Sequence, residues 1–76
     1  MNIPIKTSFY AFNDSEDKYK EIINIVGLLY DVTNVSTISF NGDDYKFSIV
    51  EDRLMNNEEF NSTGYHLIRE IYLTKY

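Results

Sequence analysis

The chain has 76 residues, twelve Asp or Glu against seven Lys or Arg, a formal net charge of -5 and no cysteine. So short a chain buries one thin core, with no disulfide or thiolate zinc site to staple it, and its seven Tyr and five Phe must supply much of the buried area. The acidic balance argues against direct nucleic-acid binding, because the body repels a phosphate backbone.

Residues 1–76 are read as a single domain. From Ile5 to Phe12 aromatic and β-branched residues alternate, with Ile5, Thr7 and Phe9 on one face and Lys6, Ser8 and Tyr10 on the other; this predicts a strand. Asn13-Asp14-Ser15 stops it and offers a helix cap. Tyr19, Ile22, Ile23, Val26, Leu29 and Tyr30 then recur at helical spacing, with Lys18, Lys20, Glu21 and Asn24 on the wet side. The spacing predicts a helix over about 15–31, at some cost from Gly27. Val35 to Phe40 and Tyr45 to Val50 flank Asn41-Gly42, a strong hairpin signal. A turn over residues 41–44 sets Phe40 opposite Tyr45 and Ile38 opposite Phe47, and a slip of two residues preserves the faces. Residues 51–64 lack a period and read as a loop with at most one short helical turn around Asn57 to Phe60. Tyr65 to Tyr76 fits either a strand or a helix that groups Leu67, Ile68, Ile71 and Tyr72; its Tyr, Ile and Thr content and Gly64 favour the strand. The expected fold is α+β, a two-layer β-α-β-β-β arrangement in which one helix covers one antiparallel or mixed sheet.

Eleven acids stand against four bases between positions 14 and 59. The expected topology gathers Asp14, Glu16, Asp17, Asp43 and Asp44 at one end of the domain and Asp31, Glu51 and Asp52 at the other. Between these poles, the sheet face away from the helix carries Tyr10, Phe12, Thr37, Ser39, Lys46, Ser48, Val50, Ile68 and Tyr72, a semi-polar surface with an aromatic cluster. Such a face suits an open binding surface, a homodimer interface or the wet side of a two-layer fold.

Signals for chemistry are weak. His66, the only histidine, has no Ser or Cys arrangement to serve as base, and is read as structural or surface. Asp43-Asp44 and Glu51-Asp52 lack the alternating ligand spacing of a calcium loop, so no metal is expected. A glycosidase pair needs a cleft that a body of this size barely provides. Gly27, Gly42 and Gly64 stand alone and form no phosphate loop. The expectation is therefore a non-enzymatic protein with no cofactor. Three Asn-x-Ser/Thr triplets are chance matches, the first six residues lack a signal-type apolar run, and no stretch suits a membrane span, so the expected compartment is the cytoplasm.

Short length, absence of Cys and Trp, acid groups at 14–17, 43–44, 51–52 and 58–59, and an excess of Asn, Ile, Lys and Tyr occur together. In these features the chain resembles the small acidic inhibitors encoded by bacteriophages, a class that includes anti-CRISPR proteins and uracil-DNA glycosylase inhibitors. The resemblance implies an inhibitor that imitates the phosphates of DNA and occupies the basic groove of a nucleic-acid-binding enzyme or complex. The binding residues expected are Asp14, Glu16, Asp17, Asp43, Asp44, Glu51 and Asp52, with Tyr10 and Tyr72 on the sheet face. Alternatives are an antitoxin or immunity protein that binds through the strand-face aromatics, and a small homo-oligomeric accessory protein.

Overall fold

The computed structural model describes residues 4–75; Met1 to Ile3 of the N-terminal stretch and Tyr76 of the expected last strand lie outside the described residues. Five strands and one helix follow the order β1 (Ile5–Asn13), β2 (Lys18–Val26), β3 (Thr37–Phe40), β4 (Asp43–Leu54), α1 (Asn57–Thr63) and β5 (Leu67–Lys75). They form one mixed sheet in the spatial order β2-β1-β5-β4-β3, in which only the central β1–β5 pair is parallel. The α+β class holds; the β-α-β-β-β order and the covering helix do not.

The expected helix over 15–31 is instead a hairpin partner of β1. Two features explain the misleading spacing. Ile22, Ile23, Ile25 and Val26 are β-branched and lose side-chain freedom in a helix but not in a strand. A bulge also interrupts the β1–β2 ladder, where Phe9 pairs with Ile23 and Tyr10 with Glu21, leaving Ile22 as the extra residue. Ile22, Ile23 and Ile25 all pack against the core, so strict alternation is lost and the apolar spacing imitates a helical stripe. Gly27, at φ +83°, then turns the chain away from the sheet in a conformation that a helix interior excludes.

The covering layer is irregular chain. Because β2 and β3 lie at opposite edges, residues 27–36 must cross one face of the sheet. Tyr30 packs edge-on to Phe9 at 5.1 Å and against Phe47 at 6.2 Å, which closes the core over Phe9, Ala11, Tyr45, Ile71 and Leu73. Polar contacts anchor this crossing. The Thr7 hydroxyl donates to the Leu28 carbonyl at 2.7 Å and accepts from the Tyr30 amide at 2.9 Å. Arg69 donates to the Tyr30 carbonyl at 2.9 Å.

The β3–β4 hairpin forms with a two-residue turn. Asn41 and Gly42 both have positive φ, and Phe40 pairs with Asp43 and Ile38 with Tyr45. This is the two-residue slip that keeps the faces. A second bulge in β4, between Phe47 and Ile49, does change them: Ile49 pairs with Tyr72 and Val50 with Ile71. Ile49, which strict alternation from Phe47 sets on the covered face, therefore joins the open face, and Val50, expected on the open face, joins the covered one. β4 also runs on to Leu54, where a loop was expected, because Asp52 pairs with Arg69 and Arg53 with Ile68 of β5. The last segment is a strand, as its composition favoured. The short turn expected near Asn57 to Phe60 is the seven-residue α1, with Asn56 in a reciprocal capping box with Glu59 and Gly64 at its C-cap. No helix among the described residues is long and apolar enough to cross a membrane.

Candidate protein-binding face

The face opposite the crossing segment has no covering layer among the described residues, and its centre is aromatic. Tyr10 of β1 stacks on Tyr72 of β5 at 5.2 Å, a direct result of their pairing in the parallel ladder. Tyr19 of β2 meets Tyr72 edge-on at 5.1 Å and Phe12 at 5.3 Å. Four rings from three neighbouring strands thus form one cluster, yet Phe12 and Tyr19 remain 45% and 40% exposed, and the adjoining Ile49 is 51% exposed. Tyr10, Phe12 and Tyr72 were legible as open-face residues from strand alternation. Tyr19 was not, since it was assigned to the apolar side of the expected helix.

Carboxylates surround these rings. Glu70, nearly buried, accepts from the Tyr10 hydroxyl at 3.4 Å and stands 3.8 Å from the Arg53 guanidinium. Burial raises the Tyr10 pKa above its ordinary value, and the charges of Glu70 and Glu21 push it further. Tyr72 is raised in the same way, by burial first and then by Glu70 and Glu51, with Arg53 opposing. Three acids and one base therefore set the field at the cluster. Beneath it, Ser8 is fully buried and donates to the Asn24 side chain at 2.8 Å, so the polar floor is satisfied.

The acids singled out in the sequence are partly gathered and partly neutralised. β1 and β5 run parallel and β4 runs against them, so the 14–17 and 41–42 turns lie at the same end of the sheet, as the expected topology also required. Glu16 is met there by Lys20 at 2.9 Å and Lys18 at 4.0 Å, and Asp43 by Lys75 at 3.4 Å. Asp44 accepts from the Ser39 hydroxyl at 2.5 Å. Asp14 and Asp17 have no ion-pair partner among the described residues.

The second expected pole is gathered only in part: Asp31 and Asp52 both act on Arg69, while Glu51 lies on the other face. Asp52 is bound by Arg69 at 2.7 and 3.0 Å, which holds its carboxyl below the ordinary range. Asp31, whose charge also acts on Arg69, caps its own turn through the Thr33 amide at 2.8 Å. Glu51 points to the opposite face from Asp52, as neighbours in a strand must, and pairs with Glu70 beside the aromatic cluster. Sequence spacing could not reveal Arg69 as the cation bound to Asp52 and felt by Asp31, because it is the crossing segment that carries Asp31 within range of its charge.

Two shallow open hollows lie beside the acidic end. One, of about 180 Å³, is lined by Phe12, Asp14, Tyr45, Leu73, Thr74 and Lys75, and its neighbour, of about 390 Å³, includes Lys20, Glu21 and Ile22. His66 is at the other end of the sheet, just before β5, stacked on Phe60 at 3.9 Å. No group of three His, Asp or Glu among the described residues is placed to hold a metal ion. No protein family, curated protein or solved structure matches this chain.

Proposed function

We propose that this chain is a non-enzymatic inhibitor that acts in the cytoplasm by docking on a basic, nucleic-acid-binding protein. The observation that carries the reading is the partly exposed Tyr10–Phe12–Tyr19–Tyr72 cluster set among Glu21, Glu51 and Glu70. Clustered rings supply contact area at low entropic cost, and the exposed Glu21 and Glu51 select Arg and Lys on the partner, while Glu70, buried beside Arg53, holds Tyr10 in place. Asp14, Glu16, Asp17, Asp43 and Asp44 form an acidic rim at the adjoining end and steer the encounter. Asp52, held by Arg69, contributes to folding more than to the interface.

The test is capture of the partner followed by a salt titration and a nucleic-acid competition. Affinity that falls steeply with salt, and displacement of nucleic acid from the captured protein, support the reading. Asp43→Lys with Asp44→Lys is expected to weaken binding more than tenfold; wild-type affinity in that variant overturns the DNA-imitating rim. A second reading, an antitoxin or immunity protein that binds through the aromatics, is favoured by the ion pairs that offset Glu16 and Asp43. Under it, Tyr72→Ala abolishes binding while affinity changes little with salt.

A further inference from the structure

β2 is an outermost strand of nine residues, paired on one side only with β1. Its two halves differ. Lys18, Lys20 and Glu21 place charge on the first half, a common protection of sheet edges, whereas residues 22–30, IINIVGLLY, carry none. Val26 and Leu28 are 62% and 52% exposed in this uncharged stretch. The opposite edge, β3, has only four residues.

The direction of the free backbone groups follows from the ladder. The Gly27 amide donates to the Ile5 carbonyl at 2.7 Å. Antiparallel alternation then turns the N–H and C=O of Ile25 and Ile23 toward β1, and those of Asn24 and Val26 outward. Four main-chain groups, two donors and two acceptors, thus lie in register without a partner among the described residues, between the Ile22 bulge and Gly27.

We propose that this edge pairs with the same edge of a second copy of the chain, about a two-fold axis centred on Ile25. In that register Asn24 exchanges main-chain hydrogen bonds with Val26 of the second copy, Ile25 meets its own counterpart, and Ile23 lies opposite Gly27. Every pair keeps its side chains on matching faces, and no like charges oppose each other. A basic partner strand is a poorer occupant, because Lys18 and Lys20 flank the edge and the pairing stretch has no acid to receive it. An antiparallel edge contact with a perpendicular two-fold places both aromatic faces on the same side of a continuous ten-stranded sheet. The inference is independent of the partner proposed above.

Because the chain contains no cysteine, a single introduced thiol reports on the register. Ile25→Cys occupies a pair without hydrogen bonds, where cross-strand thiols approach closely. Mild oxidation is expected to give a covalent dimer with Ile25→Cys and at least tenfold less with Asn24→Cys. Light scattering of the unmodified chain is expected to approach twice the 9.0 kDa mass of one chain as concentration rises. Val26→Pro removes an outward N–H without touching the β1 ladder, and is expected to leave a folded monomer by circular dichroism and scattering. A monomeric wild type at all concentrations, equal cross-linking of the two cysteine variants, or a dimer that survives Val26→Pro overturns the proposal. Should Ile25→Cys fail to fold, the wild type and Val26→Pro decide it.

Discussion

Arg69 joins parts of the chain that are distant in sequence. Its guanidinium binds Asp52 on the neighbouring strand and the Tyr30 carbonyl in the crossing segment, and the side chain is only 19% exposed. Arg69→Met is expected to cost ~1–2 kcal/mol, discounted because Asp52 is nearly half exposed, and chemical denaturation would measure it. The variant should also alter acid stability. Asp52 titrates below its ordinary 3.8 in the folded chain, so its contribution is complete above that value and is lost as pH falls through the lower, folded one. Arg69→Met should therefore flatten the stability profile below about pH 4. The tyrosines give the opposite edge. Tyr10 and Tyr72 titrate above 10.0 when folded, so their contribution is complete below that pH and disappears as pH climbs through the raised values. Replacing either by Phe should reduce the alkaline loss of stability, followed by circular dichroism above pH 10.

At the scale of elements, local chemistry decided the turns and the ends. Asn41-Gly42 adopts the paired positive φ that a two-residue hairpin demands, and the hairpin was legible from those two residues. Asn56 and Glu59 close the start of α1, and Asn56→Ala should cost about 1 kcal/mol and fray the helix, measurable by amide exchange at Phe60 and Asn61. β2 was illegible for a reason of the same scale. Its bulge disturbs the two-residue period that identifies a strand, and Asn13 to Ser15 resemble a helix cap while forming a hairpin turn. The Asn13 side chain accepts from the Ser15 and Glu16 amides at 2.9 and 3.2 Å, an interaction available to either structure. The bulge in β4 had a similar effect, exchanging Ile49 for Val50 on the open face.

The whole molecule is a sheet with one covered face. Its fully buried apolar side chains are few, chiefly Phe9, Ile71 and Leu73. Phe9 contacts Tyr30 and Phe47 as well as its strand neighbours, so Phe9→Ala is expected to cost ~3–5 kcal/mol. That loss is comparable with the whole stability of a small domain, typically ~5 kcal/mol at the low end, and a thermal melt should show little or no cooperative transition. Charge acts at this scale too. The hairpin-turn end holds Asp14, Glu16, Asp17, Asp43 and Asp44, but Lys18, Lys20 and Lys75 lie among them and reduce the field. The aromatic face, by contrast, keeps an excess of carboxylates beside its rings.

Composition and alternation alone determined β1, the hairpin of β3 and β4, the strand character of β5 and the open-face positions of Tyr10, Phe12 and Tyr72. These properties depend on neighbours a few residues apart, where propensity and turn geometry act. The α+β class holds through α1 and not through the helix expected over 15–31. Only the tertiary structure decided that residues 18–26 extend along β1, that irregular chain covers the core, and that Tyr19 completes the aromatic cluster. Those outcomes rest on a bulge, a buried Thr7 and a buried arm of Arg69, whose partners lie 17 to 39 residues away and leave no periodic trace in the chain.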